Sequence, residues 1–113
     1  MMDDGTCRIY RVEDDASPGE MPAPHLVPHS CDYDMPYEDR MISYSRAYAA
    51  MGADQQIDKI IRIWRIPVEI GNVAVVDGDQ YQIDIVQPTL NEDQLKVTDL
   101  TLRRLEENYD IAQ

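Results

Sequence analysis

The chain has 113 residues, enough for one small domain with a single core, and 43% of them are hydrophobic, which excludes wholesale disorder. It carries 22 acidic against 10 basic side chains, a formal charge of −12, and both halves share the excess: −7 over residues 1–56 and −5 over 57–113. No basic stripe that would neutralise phosphates is present, and no apolar run approaches the ~20 residues of a membrane-spanning helix, so neither direct nucleic-acid binding nor membrane insertion is expected.

Met1–Thr6 is acidic and polar and lacks the basic and apolar regions of an export signal, so the chain is expected to stay in the cytoplasm of the cell that makes it. Cys7 and Cys31 are then free thiols rather than a disulfide. With His25 and His29 they offer four zinc-type ligands, but the spacing matches none of the usual closely spaced ligand pairs and prolines interrupt it. No metal is expected.

Cys7–Val12 reads as a first strand, rich in β-formers, with Ile9 in the core. Glu13–Met41 differs in kind: it holds five prolines, Pro18, Pro22, Pro24, Pro28 and Pro36, shows no periodicity, and reads as a long loop in which Leu26-Val27 extends as a short strand. Its apolar residues need burial somewhere, so Leu26, Val27, Tyr33, Met35 and Tyr37 are candidate contacts to a partner or a neighbouring copy, with the loop ordering there. Ser43 can cap a short helix that places Tyr44, Ala47, Tyr48 and Met51 on one face before Gly52 stops it, with Tyr48 in the core. Ile57–Ile66 fits a helical face through Ile57, Ile60, Ile61 and Trp64, but its β-branched content and the following Pro67 favour a strand. Ile61 and Ile63 then share one face with Ile57, and Ile60, Trp64 and Ile66 the other. A strand covered on both sides is central or lies at a subunit contact, which makes Ile60 and Trp64 candidate interface residues.

The clearest strand signal is Gln80–Gln87, where Tyr81, Ile83 and Ile85 alternate with Gln82 and Asp84. Before it, Val73–Val76 runs into Asp77-Gly78-Asp79, a hairpin cue that allows a loop centred on Asp77-Gly78 or on Gly78-Asp79. Either way Val76 and Ala74 share a face with Tyr81, Ile83 and Ile85. Pro88–Asp93 reads as a polar turn and Leu95–Leu105 as a last strand, with Leu100 and Leu102 inward alongside Thr98 and with Val97, Asp99, Thr101 and Arg103 alternating between them. Asp84 and Asp99 read as charges on wet faces. Glu106–Gln113 is an acidic tail whose Tyr109 is either frayed or docked on a neighbour. The chain has no Gly-x-Ser-x-Gly, no Gly-rich phosphate loop and no His-Glu-x-x-His, so no catalytic residue and no cofactor is expected.

Taken in order, Tyr44-Ser-Arg-Ala-Tyr-Ala-Ala, Ile60-Ile-Arg-Ile-Trp-Arg, Val76-Asp-Gly-Asp-Gln-Tyr-Gln-Ile-Asp-Ile-Val-Gln and Val97-Thr-Asp-Leu-Thr-Leu-Arg-Arg-Leu resemble the head-closure or head–tail connector ("stopper") proteins of tailed bacteriophages. The likeness covers roughly residues 43–105, and no family motif matches the proline-rich stretch. It implies a mainly β fold: one domain over 1–113, a small β-barrel with one short α-helix and a long inserted loop after the first strand. It implies a structural role too, as a ring under the portal that completes the head, prolongs the DNA channel and receives the tail. The partners it implies are the portal or adaptor ring, a tail or tail-terminator protein, copies of the chain itself, and passing genomic DNA held by no specific contact. The place it implies is the virion neck, after assembly in the bacterial host cytoplasm. The acidic balance suits such a channel, because a negative wall lets DNA slide. A tail-completion or other neck protein fits the same features, and an oligonucleotide-binding type of small barrel is a more distant alternative, short of the basic groove it would need.

Overall fold

A two-residue turn sets the register of the central hairpin. β5 (Val73–Val76) and β6 (Asp79–Leu90) pair from Val76 opposite Asp79 to Val73 opposite Gln82. The connecting Asp77 and Gly78 have φ of 51° and 92°, the two positive values a type I′ turn requires. Of the two loop positions that the Asp-Gly-Asp sequence allows, the chain uses Asp77-Gly78, because there the glycine takes the second left-handed site. The computed structural model describes residues 3–14, 19, 24–28, 33–40 and 57–111 of the protein. Among them are eight strands and no helix. The expected helix, with Tyr44, Tyr48 and Met51, lies outside the described residues.

The other strands are β1 (Gly5–Asp14), β2 (Pro24–Pro28), β3 (Met35–Asp39), β4 (Lys59–Trp64), β7 (Lys96–Arg104) and the two-residue β8 (Asp110–Ile111). In the order β3-β4-β7-β6-β5-β1, with β1 returning to β3, six strands close an antiparallel barrel. β1 is long enough to divide one edge between two partners, pairing Gly5–Cys7 with β3 and Tyr10–Asp14 with β2. β2 then carries β8 in parallel. The barrel interior holds Cys7, Ile9, Met35, Tyr37, Ile61, Ile63, Ala74, Val76, Ile83, Leu100 and Leu102.

β4 and β5 are diametrically opposed in this ring, so residues 65–72 must cross one end of the barrel. Ile66 and Val68 face inward from that crossing and pack on the core, which closes the end with apolar side chains. Asn72 anchors the crossing: its side-chain oxygen accepts from the Glu69 N–H at 3.0 Å, and its carbonyl accepts from the Ile83 N–H at 2.9 Å.

Three expectations are corrected. The Glu13–Met41 stretch is not a single loop, because Pro24–Pro28 and Met35–Asp39 are strands; Pro24 and Pro28 stand at the two ends of β2, where a missing N–H costs the ladder least. β6 does not stop at Gln87 but continues through Pro88 to Leu90, so the turn is confined to Asn91–Gln94. The Asn91 side chain accepts from the Asp93 and Leu95 N–H groups at 2.9 Å each, and Gln94 takes a positive φ of 64°.

The third correction concerns Ile85. A bulge shifts the β6–β7 register between Ile83, opposite Leu102, and Ile85, opposite Thr101, leaving Asp84 as the extra residue. Beyond it the alternation changes phase: Val86, opposite Leu100, packs against the core, while Ile85 is half-buried on the other face of the sheet. Ile83→Ala should therefore destabilise the protein by about 2–5 kcal/mol and Ile85→Ala by clearly less, measured by urea unfolding, whereas an unbroken alternation would make the two costs equal.

Candidate interaction surface

Cross-strand neighbours place Glu38, Arg62, Asp99 and Gln87 in one row over β3, β4, β7 and β6, on the face turned away from the barrel interior. Asp99 is only 3% exposed. Arg62 meets it in a two-pronged bond, Nε donating to Oδ1 at 2.7 Å and Nη2 to Oδ2 at 3.1 Å. Planar guanidinium against planar carboxylate is the geometry in which a desolvated pair recovers most of its lost hydration. Asp99 is thus no wet-face charge. Sequence reasoning missed the pair because a charge alternating with Leu100 and Leu102 reads as solvent-facing. The available signal was that Arg62 also alternates, between Ile61 and Ile63, on a strand expected to be covered on both sides.

Next along the same face, Trp64 stands opposite Val97, at the end of β4 nearest the Asn91–Gln94 turn. Trp64 and Leu95 are 43% and 49% exposed. With Glu38, Arg62, Asn91, Glu92 and Asp93 they line a groove of about 280 Å³. The Arg62 charge is met by Asp99 and Glu38 faces Arg40 at 3.8 Å, so the carboxylates of Glu92 and Asp93 set the sign of the rim. An apolar floor edged by carboxylates suits an apolar side chain carried between basic groups.

The residues singled out as interface candidates divide. Tyr33, like Trp64, is exposed, Val27 is half-buried, and Tyr109 is half-buried with its N–H and carbonyl both held by the Gln80 side chain, at 2.8 and 2.9 Å. Leu26, Met35, Tyr37 and Ile60 are buried within the chain and not open to a partner. Met35 and Tyr37 are drawn inside because β3 closes the barrel, and Leu26 because β2 pairs along β1. Of the core candidates, Ile9, Ile61, Ile63, Val76, Ile83, Leu100 and Leu102 are buried, Tyr81 is half-buried against the core, Ile85 is displaced by the bulge, and Tyr48 lies outside the described residues.

At the opposite end of the barrel the Tyr37 hydroxyl donates to Asp77 Oδ2 at 2.6 Å. Burial and this bond push the phenol pKa up. Burial, aided by the charges of Asp77 and Asp34, pushes the Cys7 thiol from 9.0 up to about 12. Among the described residues no group of three His, Cys, Asp or Glu side chains converges as a metal site. His29 and Cys31 lie outside the described residues. Among those described, no helix is long and apolar enough to cross a membrane. No known family model matches the chain, and no curated protein matches it.

Two outcomes follow from these geometries. Asp99→Asn leaves a buried guanidinium without its counter-charge and should cost about 3–5 kcal/mol, whereas the apolar pair Arg62→Met with Asp99→Leu should recover most of that loss in chemical denaturation. Cys7 and Tyr37 are both held protonated by the fold, so their contribution is complete below about pH 9 and is lost as pH rises from 9.0 towards 12. Urea midpoints measured across that range should fall, and Cys7→Ala should flatten the fall.

Proposed function

We propose that this protein is a head-closure or head–tail connector of a tailed bacteriophage, one subunit of a ring seated under the portal. The observation that carries the reading is the ordered set of sequence blocks, three of which lie on adjoining strands of one closed barrel: Ile60–Arg65 on β4 and its exit, Val76–Gln87 on the β5–β6 hairpin, Val97–Leu105 on β7. The first block, Tyr44–Ala50, lies outside the described residues. The helix and the remainder of the long loop after the first strand belong to this proposal.

The chemistry of the surface supports a structural role. A chain with a net charge of −12 offers little for phosphates to hold, as the lining of a channel for passing DNA requires. The groove with Trp64 and Leu95 offers apolar anchors ringed by acid, suited to a head-to-tail contact with a neighbouring copy or to the portal. In this reading the partners are the portal or adaptor ring, a tail or tail-terminator protein and copies of the chain, with no membrane involved, and the site of action is the neck of the virion. Nothing in the reading calls for catalysis or a cofactor. A tail-completion or other neck protein is the alternative, and it differs in which particle the protein joins.

Electron microscopy of the protein mixed with a tailed-phage portal ring tests the reading. The expected result is a ring stacked coaxially on the portal, and attachment to tails instead would assign the chain to tail completion. Retention of DNA on filters at low salt would favour an oligonucleotide-binding module. Trp64→Ala should reduce ring–portal association by about tenfold or more while leaving folding stability within about 1 kcal/mol, since the side chain is exposed.

A further inference from the structure

Leu90, Lys96 and Arg65 form one row across β6, β7 and the residue that follows β4. Leu90 stands opposite Lys96, and Arg65 continues the β4–β7 register by one residue, its N–H donating to the Lys96 carbonyl at 3.3 Å. Alternation gives the face. Val86 packs against the core, so Pro88 and Leu90 turn the same way, together with Thr98 and Lys96 opposite them. Arg65, two residues beyond the core residue Ile63, joins them. Two exposed cations are thus direct cross-strand neighbours on one face. Like charges so placed repel, and neither forms an ion pair with a carboxylate among the described residues, although the chain carries 22 acidic side chains. The Arg65 guanidinium lies instead on main-chain oxygens: Nη2 donates to the Thr89 carbonyl at 2.6 Å and to that of Val97 at 3.4 Å, and Nε to Val97 at 3.4 Å.

Beside this pair the same face sinks into a notch of about 410 Å³ between the barrel-crossing segment and the β6–β7 hairpin. Ile66, Pro67 and Val68 form one wall and Val86 and Pro88 the other; Arg65 lines it too, and no carboxylate does. Thr98, also in the lining, is 1% exposed, and its hydroxyl is buried without a hydrogen-bond partner. A turn about χ1 from one staggered position to the next exchanges that hydroxyl with the methyl group, so a polar atom brought into the notch relieves the unmet group.

Apolar walls, two cations without a counter-charge and an unmet hydroxyl together select one kind of occupant. An inorganic anion leaves the walls wet, a hydrocarbon leaves the cations unmatched, and a basic group is repelled. A small molecule whose apolar body ends in a carboxylate meets all three, because a planar carboxylate fits a guanidinium and the notch lies within the roughly 300–1,000 Å³ of small-ligand sites. Carboxylates supplied by a second copy come at greater cost, since each copy brings a charge of −12.

We propose that this notch binds a small amphiphilic carboxylic acid, with its carboxylate on Arg65 and Lys96 and its apolar body against Ile66, Val68, Val86 and Pro88. The site does not depend on whether the chain works as a phage connector. The probe is octanoate, titrated into the isotope-labelled full chain and followed by amide shifts. Expected are saturable shifts confined to residues 65–68, 86–90 and 96–98. Arg65→Gln and Lys96→Gln should each weaken binding by about fivefold or more, with far-ultraviolet circular dichroism and thermal midpoint close to the parent's. Lys96 is exposed, so its variant carries the test even if Arg65→Gln disturbs the crossing. Octylamine, of the same length and opposite charge, should leave these amides unmoved. Equal binding of octylamine at these residues, unchanged octanoate affinity in Lys96→Gln, or no shift there in millimolar octanoate would overturn the proposal. Tighter binding at these residues by a peptide with a free C-terminal leucine carboxylate would overturn the assignment to a small molecule.

Discussion

The fold depends on one short seam. Three residue pairs, Gly5–Tyr37, Thr6–Pro36 and Cys7–Met35, join β1 to β3 and convert a sheet into a closed barrel. Nothing larger than glycine fits at the first of them: a Cβ on Gly5 would stand 2.7 Å from an Asp77 carboxylate oxygen and 2.8 Å from the Tyr37 ring. The same tight approach lets the Tyr37 hydroxyl reach Asp77 in the β5–β6 turn, so seam and hairpin hold each other in place. Closure removes two strand edges and gives the apolar faces of all six strands a common interior. The burial of Cys7, Met35 and Tyr37 all follows from it.

Outside the barrel the sheet does something a minimal core would not require. β4 and β7 are buried on both faces, and the outer one carries a desolvated Arg62–Asp99 pair among Ile60, Val97 and Thr101. Such a pair adds little net stability over an apolar substitute, but it penalises any register in which either charge is left alone. A slip of one residue between β4 and β7 would bury both charges unpaired. The pair therefore fixes the position of Trp64 relative to the Asn91–Gln94 turn, and with it the shape of the groove.

Strands were largely legible from the residues, and faces less so. Period-2 patterns and the Asp-Gly turn located β4, β5, β6 and β7 to within a few residues, because alternation reflects a half-buried strand directly. Ile85 shows the limit. The run Tyr81, Ile83, Ile85 looks uninterrupted, yet one extra residue at Asp84 reverses the facing of everything after it, and only pairing with β7 reveals that residue as extra. Pro88 shows a related limit, since it reads as the start of a turn and in fact sits within β6 opposite Thr98.

Residue pattern was enough for a mainly β domain, for apolar interior residues on five strands, for a hairpin within Asp77-Gly78-Asp79 and for a strongly negative net charge. Those properties come from local backbone preference, nearest-neighbour periodicity and summed charge. Tertiary structure alone decided that Leu26, Met35 and Tyr37 are spent on closing the fold rather than on a partner, that Asp99 is buried, and that Glu106–Ile111 returns to its own chain through Gln80 and β2. Each of those outcomes depends on which segments meet across long separations in the chain, such as the separation of 37 positions from Arg62 to Asp99, and no local pattern records such meetings.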